Sequence, residues 1–270
     1  MDNYIFSGYG KKIEMSKLKK VLPIKKEISV IIPAYNEEEN IEAIVKAIEN
    51  NLKKTHFGKS YEIIVVEDNS SDKTPGIIDK LSKRDNFIAL HRYSKRGLFS
   101  AVTDGINISN GKYILTLDAD FSHPPDLIPK MVSYCEKYDA VIASRYTKGG
   151  EMKAPFFRVY GSKILNWLCI FISGIEVSDF GGQFRLFNKS QYLKIKFRNE
   201  SRFAEYGIEL FYRAKKLGFK VKEVPFAYKF REAGSSKMGN IIKLPLLGLN
   251  YLKTAFKLRF EELFGFGKKR

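Results

Sequence analysis

The sequence is poor in cysteine, histidine and acidic residues, and it has no long apolar run. Its two cysteines, Cys135 and Cys169, are far apart and form no CxxC pattern. That excludes a disulfide-stapled framework and a cysteine-based zinc site, and it predicts two buried, reduced thiols. The histidines His56, His91 and His123 are too scattered to make a zinc cluster. The longest uncharged stretch is 12 residues, Ile164 to Ile175, where a membrane span needs about 20. The first residues lack the apolar core of a secretory signal. The expectation is a peripheral protein that meets a membrane only at its surface.

Acidic residues are the larger deficit. The 270 residues carry 30 acidic and 47 basic side chains, a net charge of +17. Solubility alone does not call for that excess, so an anionic partner is indicated: nucleic acid, a membrane surface or a phosphorylated substrate. The excess is uneven. Residues 27–150 hold 16 basic and 18 acidic groups, while residues 151–240 hold 17 and eight. The acids therefore sit in a near-neutral first block and the remainder is basic. Hydrophobic residues at 44% and aromatics at 14% argue against disorder.

After residue 26, apolar strand-like runs alternate with helical spacing. Strands are predicted at Ile28–Ile32, Tyr61–Val66, Phe87–Leu90, Tyr113–Leu117 and Ala140–Ala143. Helices are predicted over Glu37–Leu52, Lys73–Lys83, Leu98–Ile108 and Leu127–Tyr134. This alternation implies right-handed βαβ units, hence a doubly wound, mainly parallel α/β sheet with a nucleotide-binding half over 27–145. Beyond it lie helices at Phe156–Ile172 and Phe203–Leu217, a strand at Gln183–Phe187 and an extended run at Phe219–Phe230. A basic arm spans 1–26, the main domain 27–240, and a last helix with a basic tail 241–270. On that helix Lys243, Asn250, Lys253, Thr254, Lys257 and Glu261 form a polar stripe about 100° wide. The broad apolar remainder suits either a membrane interface or packing on its own domain.

Three predicted strands end in polar clusters, where an open α/β sheet binds its ligands. They are Pro33-Ala34-Tyr35-Asn36-Glu37, Glu67-Asp68-Asn69-Ser70-Ser71-Asp72 and Asp118-Ala119-Asp120-Phe121-Ser122-His123. Asp118 and Asp120 are two apart after an extended run, so their carboxylates point the same way. Paired hard oxygens suit Mg2+ or Mn2+ and leave coordination positions for substrate phosphates. Glu67 and Asp68 can accept from a base or ribose, or cap the following helix. Lys95-Arg96-Gly97-Leu98 opens a helix that could approach a phosphate. In the basic half, Arg145 follows a strand, Arg158 and Ser162 share a helix face, and Arg231 to Lys237 form a basic loop with Gly234.

The segments VIIPAYNEEENI, IIVVEDNSSD, LTLDADFSHPP and ASRY resemble family 2 glycosyltransferases of the GT-A fold. SRYTKGG, RVYGSKILNWL, SDFGGQFRLF and FREAGSSKM more narrowly resemble dolichyl-phosphate and polyprenyl-phosphate mannose synthases. The resemblance covers about residues 27–240, with 27–145 as nucleotide and metal half and 146–240 as acceptor half. It implies that Pro33, Tyr35, Glu37, Glu67, Asp68, Asp118, Ala119, Asp120, Arg231 and Lys237 bind a nucleotide sugar. It implies Asp118, Asp120 and Ser122 around Mg2+ or Mn2+, and Arg145, Arg158, Ser162 and Arg231 on an acceptor phosphate. Asp120, Arg145, Arg231 and Lys237 are the expected catalytic residues. Glu67 departs from the family's usual first Asp, Ser122 stands where some members carry Gln, and Gly182-Gln183-Phe184-Arg185 replaces SGFR. The implied reaction moves mannose from GDP-mannose, or glucose or N-acetylglucosamine from a UDP-sugar, to a polyprenyl or dolichyl monophosphate at the cytoplasmic face of an anionic membrane. A nucleic-acid-binding protein is the rival from another class, but no recognisable module of that kind is present.

Overall fold

The structure, a computed structural model, describes residues 4–7, 11–14, 26–93, 97–197, 206–229 and 244–264. The chain runs β1 (Tyr4–Ser7), β2 (Lys11–Glu14), β3 (Lys26–Ala34), α1 (Ile41–Leu52), β4 (Tyr61–Glu67), α2 (Thr74–Leu81), β5 (Phe87–His91) and α3 (Leu98–Ile108). Then follow β6 (Gly111–Thr116), a 3-10 turn (Pro125–Leu127), α4 (Ile128–Val132), β7 (Ala140–Ser144), β8 (Glu151–Lys153) and α5 (Phe156–Ser173). The last elements are β9 (Arg185–Asn188), α6 (Lys189–Tyr192), α7 (Tyr206–Lys216), β10 (Val221–Pro225), β11 (Ala227–Lys229) and α8 (Leu244–Phe264).

Nine of these strands form one sheet in the order β10-β7-β9-β6-β3-β4-β5-β1-β2. The centre is parallel: β3 pairs with β4 and β6, and β4 with β5. β9 enters antiparallel between β6 and β7, so the second half of the chain completes the sheet of the first. The strands are buried on both faces, as helices on either side require. Val30, Ile32, Ile63, Val65 and Leu115 face α1, α2 and α4, whereas Ile31, Ile64, Val66, Ile88 and Ile114 face α3, α5, α7 and α8. That is the period-two alternation of a strand read out as two cores. α1 fits one of them because Ile41, Ile44, Val45, Ile48 and Leu52 form one buried stripe, each contributing about 1.5–3 kcal/mol on burial. α3 sits close to the sheet because Gly105 has no side chain: a Cβ there would lie 2.6 Å from the Ile31 side chain.

The expected strands and helices of 27–145 are all present, with shifted ends. α1 starts at Ile41 rather than Glu37, because Glu37–Asn40 form a turn tied to the neighbouring loop. The helix expected over 127–134 is divided into a 3-10 turn and the short α4. Part of the basic arm joins the sheet: β1 pairs antiparallel with β5 and β2 with β1. Four-residue edge strands take their order from an existing edge, so no local alternation announces them. Both thiols are buried and free.

α5 and α8 pack against each other beside α7. Ala255 and Leu258 of α8 are buried in this contact, while Leu249, Phe256, Phe260 and Leu263 stay exposed. On α5, Phe156, Tyr160, Ile164, Trp167 and Phe171 form an exposed stripe at helical spacing. The broad apolar face of α8 is therefore divided between its own domain and the solvent. Among the described residues no helix is long and apolar enough to cross a membrane.

Candidate active site

The C-terminal ends of β3, β4 and β6 open on one edge, as their parallel pairing demands. The three non-glycine residues with positive φ among the described residues lie just past them: Asn36 at 51°, Asn69 at 59° and Phe121 at 57°. Such conformations cost about 1–3 kcal/mol each and persist where surrounding contacts hold them. Here the contacts are reciprocal. The Asn36 N–H donates to Ser70 Oγ at 3.0 Å, and the Ser71 N–H donates to Asn36 Oδ1 at 2.9 Å. The Glu37 N–H donates to Thr74 Oγ1 at 2.8 Å, and the Lys73 N–H to Glu38 Oε2 at 2.9 Å. The loops after β3 and β4 are thus cross-tied. Tyr35 stands exposed on the first, and Pro33 is half-buried at its base. Glu37 is buried and accepts from Asn40 Nδ2 at 3.0 Å.

Asp68 is held from below. Its Oδ2 accepts the Gly97 N–H at 2.8 Å, and its Oδ1 lies 3.3 Å from Nη1 of the fully buried Arg92. Gly97 has φ 130°, a conformation a side chain would strain, and its N–H is spent on Asp68 rather than left for a phosphate. Lys95 and Arg96 lie outside the described residues.

Asp118 and Asp120 follow β6 and are both partly exposed, whereas Ala119 between them is 2% exposed and belongs to the core. Asp120 Oδ1 accepts the Ser122 N–H at 3.0 Å, which explains the left-handed turn at Phe121. Asp118 Oδ2 lies 3.4 Å from Nδ1 of buried His123. Burial first, then the positive charges of Arg145 and Arg185, push His123 down to about 4, so it is a neutral neighbour of the carboxylates at pH 7. No group of three or more His, Cys, Asp or Glu side chains gathers around a metal-sized space among the described residues. Two hard carboxylates without a closed cage fit a divalent cation that takes its other ligands from a diphosphate and water. Ser122 is buried at their side.

Across β9 stands Arg145, at the end of β7. Asp179 takes its guanidinium side-on, with Nε–Oδ2 at 2.7 Å and Nη2–Oδ1 at 2.8 Å. Burial opposes the charge on both groups, and the pairing outweighs it: Asp179 is pushed below the usual carboxylate range and Arg145 upward. Tyr146 and Tyr228 flank the guanidinium at 5.1 and 5.6 Å. The Tyr146 hydroxyl shares a 2.6 Å hydrogen bond with Ser162, one turn along α5 from half-buried Arg158. A cleft of about 380 Å3 opens beside Arg145, lined by Tyr146, Lys163, Asn166, Trp167 and Ile170. Ser162 is joined through its hydrogen bond to the residue next to Arg145, and Arg158 lies one turn before it on α5. Arg231 and Lys237 lie outside the described residues.

Glu67 departs from the expected contact with the nucleotide. It is 1% exposed, one of its oxygens accepts the Ser70 N–H in the loop after β4, and the other lies 3.3 Å from Nδ1 of His91 on β5. Arg185 is a core residue: its Nη2 donates to the Phe180 carbonyl at 2.6 Å, and its guanidinium lies over the rings of Tyr206 and Phe211. Asp179, Arg92, His91 and His123 had no assigned role from sequence. Asp179 and His123 lie inside quoted motifs, which was the available signal for them. His91 and Arg92 act through pairings with elements distant in sequence.

Residues 29–195 match the family model of Glycosyl transferase family 2. The dolichol-phosphate mannosyltransferase of Pyrococcus furiosus is 40% identical over 139 residues, 51% of this chain but 38% of that longer protein. The polyprenol monophosphomannose synthase of Mycolicibacterium smegmatis is 34% identical over 237 residues, covering 85% of this chain and 84% of that protein. A solved structure of glucosyl-3-phosphoglycerate synthase from Mycobacterium tuberculosis, in complex with Mn2+, UDP and glucosyl-3-phosphoglycerate, aligns with TM-score 0.63 at 17% identity, over 91% of this chain and 82% of that one. Mannosyl-3-phosphoglycerate synthase from Rubrobacter xylanophilus aligns with the same TM-score at 16% identity, over 95% and 80% of the two chains. These likenesses establish the GT-A type of fold.

Proposed function

The chain belongs to Glycosyl transferase family 2, and from that membership we propose that it transfers mannose from GDP-mannose to a polyprenyl or dolichyl monophosphate at the cytoplasmic face of a membrane. That it is a glycosyltransferase follows from the family. The donor, acceptor and setting are our reading.

The observation that carries the acceptor class is the cleft at Arg145. One opening presents the cations of Arg145 and Lys163 together with the apolar surfaces of Trp167 and Ile170. A phosphate head on an isoprenoid chain has that polarity. The same α5 carries its aromatic stripe outward beside the exposed face of α8, which suits seating at an anionic membrane surface. The donor would lie across the ends of β3, β4 and β6, with Tyr35 and Asp68 toward the nucleoside and Asp118 and Asp120 toward the diphosphate.

In this reading a phosphate oxygen of the lipid attacks the anomeric carbon. The bond from that carbon to the donor diphosphate breaks, its electron pair leaves with GDP, and the configuration inverts. A phosphate monoester is already anionic at neutral pH, so no side chain need remove a proton. Catalysis then rests on alignment and charge stabilisation. Arg145, fixed by Asp179, would hold the incoming phosphate, with Arg158 and Ser162 alongside it. Asp118, Asp120 and Ser122 would hold Mg2+ or Mn2+, which supplies charge stabilisation on the leaving diphosphate. Arg231 and Lys237 are assigned to the same phosphates on the resemblance alone.

The test is a transfer assay with purified protein, Mg2+ or Mn2+, dolichyl phosphate and, in parallel, labelled GDP-mannose, UDP-glucose and UDP-N-acetylglucosamine. Label entering the lipid phase from GDP-mannose is the expected result. Label from a UDP-sugar alone would overturn the donor assignment. Nucleotide binding without any lipid product would overturn the acceptor assignment.

A further inference from the structure

Beneath the donor loops runs a chain of contacts that no substrate contact explains. His91, at the end of β5, is 2% exposed. Its Nε2 lies 2.8 Å from Asp79 Oδ1 on α2, and its Nδ1 lies 3.3 Å from Glu67 Oε2 at the end of β4. The other Glu67 oxygen accepts the Ser70 N–H. Ser70 Oγ in turn accepts the Asn36 N–H at 3.0 Å, which carries the chain into the loop after β3. Asn36 and Asn69, the two left-handed residues on these loops, flank that path. Glu67 and His91 are register partners on adjacent parallel strands. The Glu67 side chain reaches sideways across the two strands to His91.

We infer that His91 is a positioning residue for the donor: held between Glu67 and Asp79, it fixes the 67–72 turn and, through Ser70, the 34–40 loop, so that nucleotide affinity depends on the imidazole and its carboxylate partners. The ligand in this statement rests on the function proposed above; the brace does not. Two carboxylates face the imidazole, Glu67 from β4 and Asp79 from α2. Tyr93 stacks on it at 6.4 Å, and β1 brings Tyr4 into register opposite it. Burial alone would disfavour the cation, but the two carboxylates reverse this and raise the His91 pKa above its ordinary value. Glu67 is held low by the same bonds despite its own burial.

The experiment compares wild type, His91→Gln and Asp79→Asn from pH 6 to 9. It reads the His91 titration by NMR, amide exchange protection of segments 34–40 and 67–72 in ligand-free protein, and calorimetric binding of GDP and of UDP. In wild type, protection should fall roughly tenfold for each unit by which the His91 titration lies above its value in the opened segment, and affinity roughly tenfold for each unit by which nucleotide binding raises that titration further. His91→Gln should show the weakened values throughout and a flat profile, with KM for the donor raised and kcat little changed. Should His91→Gln not fold, Asp79→Asn removes one partly exposed carboxylate and should lower both the titration point and the protection. An ordinary His91 titration, or equal protection in wild type and a folded variant, would overturn the brace. Binding of neither nucleotide, with protection still tracking His91, would sink the transferase reading and leave the brace standing. Nucleotide binding with protection indifferent to His91 would do the reverse.

Discussion

Asp179 grips Arg145 three times: through Nε at 2.7 Å, through Nη2 at 2.8 Å and through the Arg145 main-chain N–H at 3.0 Å. The aspartate comes from the segment that leads into antiparallel β9, the arginine from the end of parallel β7. The segment that leads into the crossing strand thus delivers the group that orients the Arg145 guanidinium. A side-on carboxylate fixes the plane of a guanidinium, which a single contact cannot do.

Asp179→Ala should therefore cost stability and acceptor binding together. The Asp179 side chain is 0% and the Arg145 side chain 16% exposed, and breaking a buried pair by removing one partner costs about 3–5 kcal/mol. Urea unfolding at pH 7 should show a lower midpoint with an unchanged slope. Asp179 is depressed in the folded state. Its contribution is thus present above the unfolded value of about 3.9 and is lost as pH falls through the lower folded value. An unchanged midpoint would mean that Arg145 finds another partner.

Asp120→Ala should abolish transfer while the fold survives. The folded state loses the 3.0 Å bond from Ser122 to Asp120, a cost of about 0.5–1.5 kcal/mol for a partly exposed bond. Asp120→Asn keeps an acceptor for the Ser122 N–H and loses the charge, so it should unfold like wild type and still be inactive. Retained transfer in Asp120→Asn, with a divalent ion still required, would remove Asp120 from the metal assignment.

The parallel sheet was legible because its strands are apolar runs of the right length separated by helical stripes. Ile28, Val30 and Ile32 could be read as strand and Ile41, Ile44 and Ile48 as helix without any partner in view. The placement of the candidate residues was legible where it depends on position along a strand: Asp118, Asp120 and Arg145 all follow strand ends at one edge. It was not legible where partners come from different elements. Glu67 looked like a nucleotide contact because local sequence cannot show that His91, 24 residues on, lies beside it. The arm strands β1 and β2 were hidden for the same reason, since their order comes from the edge of β5.

The outward face of α5 and α8 should govern attachment to vesicles. Trp167 is the chain's only tryptophan and is 61% exposed. Its emission should shift to the blue on addition of anionic vesicles and hold steady with neutral polymer. Replacing Phe171 and Phe256 by serine touches side chains 75% and 60% exposed, so folding should be spared. Losing two aromatic contacts of about 1 kcal/mol or more each should weaken vesicle partitioning about tenfold or more. Nucleotide affinity should not change. Unaltered partitioning in that double variant would place the membrane contact elsewhere.

Stability should also fall on the alkaline side of neutrality because of His91. Its folded pKa is raised above the ordinary 6.5 by Glu67 and Asp79, against the opposing effect of burial. A group raised on folding stabilises fully below its unfolded value and loses that contribution as pH climbs through the folded value. The window therefore opens near pH 6.5 and closes above the folded titration point. Each unit of the raise is worth about 1.4 kcal/mol. Urea unfolding at pH 6 and pH 9 should show wild type losing that amount, while His91→Gln, which has nothing to titrate, stays level between the two. Glu67→Gln should also flatten the profile in part, because the imidazole then keeps a single carboxylate. A wild-type midpoint as high at pH 9 as at pH 6 would mean that the imidazole is already neutral in the folded protein and that Glu67 and Asp79 hold it through hydrogen bonds alone.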